Sequence, residues 1–197
     1  MAKLTLADIA DLRAYERERE EFRARIIEMK QRRRVHVGPI LTFVFENRDT
    51  VRFQVQEMAR VEKIISDAGI EAELRAYNPL IPEPGHLSST MFVELVSEAE
   101  LREWLPKLVG IERHVELQVG AAGERVSCTV DPDHEKRLTR DEITSSVHYV
   151  GFALSPPQVT AFAEGPVALV VTHPSYGHRL ELTDATRAEL LSDLTGN

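Results

Sequence analysis

The sequence predicts an α+β fold in which a mixed β-sheet of about seven strands packs against helices. Three observations predict this class. Residues 41–65 pass from an apolar strand through a polar turn into an amphipathic helix. Residues 114–130 show the alternation and the central Gly-Ala-Ala-Gly turn of a β-hairpin. Residues 97–100 and 155–158 begin with Ser and have Glu or Gln three positions later, which is a signal for the start of a helix.

The first 34 residues are rich in charge and helical in pattern. We predict an N-terminal helical segment at 1–34 and a single α+β domain at 35–197. The apolar residues of the helical segment form a rough stripe. They are Tyr15, Phe22, Ile26 and Met29. The basic run Lys30–Arg34 is typical of a helix C-terminus, where cations meet the negative end of the helix dipole. The alternative is a patch for an anion or an acidic partner.

The next segment suggests a polar centre. We predict a strand at Val35–Glu46 that is covered on both sides, and then a helix that continues to about Asp67. Glu62 falls inside the apolar arc of this helix, where a carboxylate needs a partner. Arg48, in the preceding turn, is the nearest counter-charge. The pair is interpreted either as a structural ion pair or as part of a catalytic site.

Further elements follow along the chain. Strands are predicted at 89–96, 114–119, 125–130, 146–154, 167–172 and 178–182. Helices are predicted at 70–76, after Ser97, after Ser155 and at 183–194. Three prolines between Tyr77 and His86 predict a long extended loop. This loop either lines a site or simply links elements across the sheet.

Composition limits the class of protein. Contents of 43% hydrophobic and 28% charged residues are typical of a globular protein, and the net charge of −8 argues against nucleic acid as the main partner. No apolar run is long enough to cross a bilayer, and the first residues lack the apolar core of a signal peptide. We therefore expect a cytoplasmic protein. Cys128 is the single cysteine, which excludes an intrachain disulfide and an iron–sulfur cluster held by thiolates of one chain.

The candidate centre consists of polar residues from the turn, the following helix, the proline-containing loop and a later strand. They are Glu46, Asn47, Arg48, Gln54, Glu57, Glu62, Tyr77, Asn78 and His148. Carboxylate and imidazole groups together suit iron, manganese or zinc. The candidate metal ligands are Glu57, Glu62, His148 and His173. The two histidines lie far apart if their strands run parallel and close together if the strands are antiparallel. The competing interpretation is that each is a hydrogen-bonded core residue.

Several short segments resemble a bacterial family known as a domain of unknown function, and the resemblance covers most of the chain. The segments are Val37-Gly38-Pro39, Phe45-Glu46-Asn47-Arg48, Gln56-Glu57-Met58, Tyr77-Asn78-Pro79-Leu80 with Pro82, and Val147-His148-Tyr149. Members of that family tend to be encoded beside a rubrerythrin-like protein and an iron–sulfur oxidoreductase. The resemblance therefore implies cytoplasmic work linked to peroxide or iron-dependent redox chemistry, and it implies no catalytic residues.

Two functional hypotheses follow, and a third concerns assembly. The Gly-rich phosphate loop, the G-x-S-x-G elbow and the H-E-x-x-H metal motif are all missing from the sequence. The first hypothesis is an accessory protein that binds rubrerythrin-like and iron–sulfur redox partners. The alternative is a metal-dependent enzyme or metal-binding protein with a carboxylate and histidine site. The third is a homo-oligomer whose contact is the charged N-terminal helix.

Overall fold

The computed structural model describes residues 2–130 and 143–196. The strands of this part of the chain are β1 (Arg34–Val37), β2 (Leu41–Glu46), β3 (His86–Val93), β4 (Val115–Val119), β5 (Glu124–Ser127), β6 (Thr129–Val130), β7 (Val147–Ala153), β8 (Val167–His173) and β9 (Tyr176–Glu181). The helices are α1 (Leu12–Arg33), α2 (Arg48–Glu62), α3 (Asp67–Tyr77), α4 (Glu98–Lys107), α5 (Pro156–Glu164) and α6 (Asp184–Thr195). Short 3-10 helices occur at Leu6–Asp8, Asn78–Leu80 and Ile111–Arg113.

The α+β class is confirmed, but the strands form two antiparallel sheets instead of one mixed sheet. The larger sheet has the order β1-β2-β3-β7-β6, and the smaller has the order β5-β4-β8-β9. β7 and β8, which α5 connects, lie in different sheets. These two strands, which carry His148 and His173, are therefore paired neither parallel nor antiparallel with each other. Two half-buried sheets can each cover the other's apolar face, and this arrangement needs no parallel pair.

The main core lies between the two sheets. Phe43 and Phe45 of β2 and Phe152 of β7 face Leu117 of β4 and Leu169 of β8, and all five are buried. Side chains alternate along a strand, so the remaining residues of β2 point to the opposite face of the larger sheet. All six residues of β2 are buried, which confirms that this strand is covered on both sides.

Helices cover that opposite face of the larger sheet. α2 buries Val51, Val55 and Ala59, which lie four residues apart and so share one helical face. Leu74 of α3 and Leu80 belong to the same apolar cluster. The helix layer therefore forms a second, smaller core on the outer side of the sheet.

The predicted strand at Val35–Glu46 is a hairpin, β1 paired with β2, because Gly38 adopts a φ of +70° and reverses the chain. Only glycine takes this conformation readily. A Cβ at Gly38 would also collide with the Tyr176 hydroxyl and the His178 ring. Tyr176 of the smaller sheet stabilises this turn, because its hydroxyl donates to Val37 O at 2.7 Å and accepts from Ile40 N at 3.1 Å.

Helix boundaries also differ from the prediction between α2 and α3. α2 ends at Glu62, not near Asp67, because Lys63 takes the left-handed conformation at φ 56°. Gly69, just beyond the predicted end of the helix, lies inside α3. Ser66 caps α3 by accepting from Gly69 N. Lysine is not a residue that favours the left-handed conformation, so the sequence did not reveal this break.

The N-terminal helix α1 packs one face against the rest of the protein. Tyr15, Phe22 and Ile26 of its predicted stripe are buried. The basic run does end the helix, as predicted, but Arg33 within it is only 1% exposed and binds Asp193 of α6 through two hydrogen bonds of 2.7 and 3.0 Å. The stripe is covered within the chain, so it offers no support for an oligomer contact. The boundary at residue 34 and the homo-oligomer stay predictions.

Within the described ranges 2–130 and 143–196, no helix is both long enough and apolar enough to cross a membrane.

Candidate functional site

The buried carboxylate of this region is Glu46, and the prediction that Glu62 is buried beside Arg48 is wrong. Glu62 is exposed at the last residue of α2. Arg48 forms its ion pair with Asp8 of the N-terminal segment. Helical periodicity indicates which face of a helix is apolar, but not how far along the helix the covering layer extends. The buried face of α2 ends at Ala59.

Two threonines hold the Glu46 carboxylate at the end of β2. The Thr50 hydroxyl donates to Oε2 at 2.6 Å, and the Thr90 hydroxyl of β3 donates to Oε1 at 2.7 Å. Thr50 also belongs to the capping box of α2, where Asn47 N donates to its Oγ1 at 2.9 Å. The positive end of the α2 dipole lies next to Glu46 and stabilises a negative charge there. The carboxylate has about four acceptor positions, so further donors can still be accepted.

Glu46 lines a cavity of about 210 Å³ between the larger sheet and helices α1, α2 and α3. We call it the Glu46 cavity. Its lining residues are Lys30, Arg34, Val44, Glu46, Val51, Gln54, Tyr77, Leu80, Thr90, Phe92, Val147 and Tyr149. The sheet residues come from adjacent strands in register, since Val44 pairs with Thr90 and Thr90 with Tyr149. Arg34 of β1 pairs in turn with Val44, so the cavity is built on the outer face of four strands.

Polar side chains from the helix layer complete the wall. Gln54 and Tyr77, both predicted members of the centre, reach the cavity with Glu46. Burial raises the pKa of the Tyr149 hydroxyl, and the nearby Tyr77 and Glu46 raise it further. Lys30, in the last turn of α1, makes no ion pair with any residue in the described part of the chain. The cavity therefore has one acidic side, aromatic hydroxyls and a basic rim.

Other predicted members of the centre lie outside the cavity and have structural partners. The Asn78 side chain bonds the backbone of Leu4 in both directions, at 2.9 Å each. Glu57 accepts from Tyr15 at 2.8 Å and from Arg19 at 2.8 and 3.0 Å. The Arg19 guanidinium, with Tyr15, lowers the pKa of Glu57 to about 2. These contacts join the N-terminal segment and α1 to α2 and α3.

The two candidate histidines are hydrogen-bonded core residues in different sheets. His148 lies on the buried face of β7, as expected, where its Nε2 is 2.9 Å from Ser145 O and its Nδ1 is 3.8 Å from Glu112 Oε2. His173 uses both ring nitrogens: Ser175 N donates to Nδ1, and Nε2 lies 3.2 Å from Val109 O. The core interpretation accounts for both.

The four candidate metal ligands are not brought together. Glu57 lies in the helix layer, Glu62 is exposed, and His148 and His173 belong to separate sheets. Among residues 2–130 and 143–196, His, Cys, Asp and Glu form no group of three or more that could hold a metal ion. Iron, manganese or zinc binding stays a prediction, which elemental analysis of protein purified without an affinity tag would test.

Sequence reasoning missed Thr50, Thr90 and Tyr149 as parts of the candidate site, and it named Lys30 only within the basic run that could bind an anion. Thr50 carries a signal, because it stands three positions after the capping residue Asn47. Thr90 and Tyr149 face the cavity only because of the strand register, which a single sequence does not reveal. A wider depression of about 760 Å³ near Lys3 and Arg75 is open to solvent, and its Asn78 is already bonded to Leu4.

Comparison with known proteins places this fold and site in a family. The model of the family described as protein of unknown function (DUF3501) matches residues 3–194. Among solved structures, the chain is similar to a novel protein of unknown function from Burkholderia pseudomallei, with 36% identity, a TM-score of 0.89, and coverage of 98% of this chain and 100% of that chain. No curated protein matches. Because the family model spans nearly the whole sequence, the chain belongs to the DUF3501 family.

Proposed function

We propose that the protein binds a small polar metabolite in the Glu46 cavity. The observation that carries this proposal is a carboxylate only 9% exposed in a cavity wall, held by two hydroxyls and paired with no cation of the described residues. Burying a carboxylate without a charged partner costs free energy that neutral hydroxyl donors offset only in part. A donor or cationic group of a ligand would supply the missing partner.

The size and the walls of the cavity support a small ligand. A volume of about 210 Å³ is below the roughly 300–1,000 Å³ of sites for drug-sized molecules. Apolar residues provide part of the lining, and a few convergent polar groups provide the rest. This combination is usual in small-molecule sites, where polar groups orient the ligand and apolar walls exclude water.

Three of the segments that carry the family resemblance meet at the cavity. They contribute Glu46, Tyr77, Leu80, Val147 and Tyr149 to its lining. This supports the further proposal that the protein uses this site in an accessory role in the cytoplasm. Its partners there would be the rubrerythrin-like and iron–sulfur redox proteins that the resemblance implies. Mixing the full-length protein with both cofactor-loaded partners and separating by size tests that role. Separate elution of all three at micromolar concentrations would contradict it.

Thermal unfolding with a library of small metabolites tests the binding function. A ligand present at 100 times its Kd stabilises a protein by about 2.7 kcal/mol. For a chain of this size that corresponds to a rise in Tm of roughly 5–10 °C. Glu46→Gln keeps the shape of the side chain but removes the negative charge. We expect at least one metabolite to raise the Tm of the wild-type protein and not that of Glu46→Gln.

Glu103→Gln is the matched control, because Glu103 is exposed on α4 and its one ion-pair partner among the described residues is Lys107 of the same helix. It should respond to the same metabolites as the wild-type protein. A library in which every stabilising compound acts equally on Glu46→Gln and Glu103→Gln would show that the cavity is not the binding site.

A further inference from the structure

Two opposite charges line the Glu46 cavity without pairing with each other. The Glu46 carboxylate belongs to the wall formed by β2, and the Lys30 ammonium belongs to the last turn of α1. Neither group forms an ion pair with any residue in the described ranges. The Lys30 nitrogen and the Glu46 oxygens are therefore more than 4.0 Å apart, which is the longest distance of an ion pair. In water-poor surroundings, opposite charges that face one cavity favour an occupant carrying the complementary pair.

We propose that the ligand of the Glu46 cavity is a small zwitterionic α-amino acid with an aliphatic side chain. Its ammonium group binds Glu46, and its carboxylate lies toward Lys30. This inference rests on the proposed binding function and names the class of ligand.

The acidic end of the cavity suits an ammonium group. Thr50 and Thr90 each occupy one position on a Glu46 oxygen, so both oxygens retain acceptor capacity for the N–H groups of a ligand. The rings of Tyr77 and Tyr149 line the same cavity, and aromatic rings attract cations. Gln54 adds a side-chain amide oxygen that can accept a further N–H.

The basic rim suits a carboxylate. Lys30 is half-buried and has no ion-pair partner among the described residues, so it can pair with the carboxylate of a ligand. Arg34 is the first residue of β1, four positions after Lys30, and its one ion-pair partner among the described residues is Glu94 at 4.0 Å. Lysine and arginine together bind a carboxylate through charge and, for the guanidinium, through paired hydrogen bonds.

The remaining walls limit the ligand's side chain. They are apolar: Val44, Val51, Leu80, Phe92 and Val147. A charged or strongly polar side chain would lose its hydration against these residues without gaining hydrogen bonds. A dicarboxylate would place a like charge near Glu46, and a simple amine would leave Lys30 without a partner. An aliphatic side chain of a few carbons satisfies the size and the polarity of the cavity.

Isothermal titration calorimetry of the full chain with valine and its two truncated analogues tests the inference. Isobutylamine keeps the amine of valine and lacks the carboxylate, whereas isovalerate keeps the carboxylate and lacks the amine. We expect valine, or alanine or leucine in its place, to bind at least about tenfold more tightly than either analogue, since each loses one charged interaction.

Two variants assign the ends of the ligand. Glu46→Gln should weaken valine binding by about tenfold or more and leave isovalerate unchanged, and Lys30→Gln should weaken valine binding and leave isobutylamine unchanged. Glu103→Gln and Lys107→Gln, an exposed pair on α4, are the controls and should bind valine normally. Lys30 makes no ion pair within the described chain, so Lys30→Gln remains a fair test if Glu46→Gln folds poorly.

The outcomes separate this inference from the function on which it rests. Equal binding of valine and isobutylamine, or no effect of Lys30→Gln on valine binding, would overturn the inference of a zwitterionic ligand. The proposed binding function would still stand if a compound of the library bound in a manner that depends on Glu46. Absence of binding by alanine, valine and leucine would also overturn it. If in addition no compound of the library depends on Glu46, the binding function fails as well.

Discussion

Replacement of Arg33 by Met tests whether the buried ion pair holds α1 to α6. Arg33 is 1% and Asp193 is 2% exposed. The guanidinium makes three hydrogen bonds, two to Asp193 at 2.7 and 3.0 Å and one to Glu189 at 2.9 Å. Met fills much of the same volume but leaves the Asp193 carboxylate buried without a cation.

The expected loss is about 3–5 kcal/mol in the free energy of unfolding, the usual effect of removing one partner of a buried pair. The free energy of unfolding of a typical domain is about 5–15 kcal/mol, so this loss is a large part of the total. At roughly 2–4 °C per kcal/mol for a chain of this size, the Tm should fall by about 6–20 °C. An unpaired carboxyl would take up a proton, so the loss should be smaller at pH 5 than at pH 8.

Urea denaturation followed by circular dichroism measures the effect, with Arg32→Met as the control. Arg32 is the neighbouring residue and also binds Glu189, at 3.1 Å, but its side chain is 44% exposed. Its loss should be below about 1 kcal/mol. The double variant Arg33→Met with Asp193→Leu removes both charges and should lose less than the sum of the single variants. Equal losses for Arg33→Met and Arg32→Met, or full additivity in the double variant, would refute the buried-pair argument.

Three further predictions concern stability and reactivity. Gly38→Ala should lose about 2 kcal/mol or more, because its φ is positive and the new Cβ collides with Tyr176; an unchanged urea midpoint would contradict this. The pKa of Glu57 is lowered from 4.5 to about 2, so its contact with Arg19 stabilises the fold above pH 4.5 and is lost as the pH falls toward 2. Glu57→Gln should therefore lose about 2 kcal/mol at pH 7 and approach the wild-type stability near pH 2, and a pH-independent difference would be the contrary result. Burial raises the pKa of the Cys128 thiol, so iodoacetamide at pH 8 should label the native protein much more slowly than the urea-unfolded chain, as measured by mass spectrometry; equal labelling rates would show that the thiol is exposed.

Local signals along the chain predicted most helices and strands of the fold. Ser97 and Glu100 form the expected capping box, and α5 begins after Ser155 with proline at its first positions. Apolar residues on both faces of β2 correctly indicated a strand that is buried on both sides. These features depend on residues within a few positions of one another, so their chemistry is readable in a single sequence.

The structure brings only part of the predicted centre together. Glu46, Gln54 and Tyr77 of the predicted set do line one cavity. Glu62 does not, because the buried face of α2 ends before it. Periodicity assigned Glu62 to an apolar arc, and only the position of the sheet beneath the helix decides which part of that arc is covered.

By itself, the sequence determined most of the helices with their caps, the burial of β2 on both faces, and the absence of an intrachain disulfide, because each follows from neighbouring residues or from simple counting. Tertiary structure alone decided that the strands divide into two sheets, that Thr90 reaches Glu46 across 44 positions, and that Arg33 is buried against Asp193 across 160 positions. The physical reason is that an amphipathic pattern states which face must leave water, whereas the partner of that face is chosen by packing and charge pairing between distant segments.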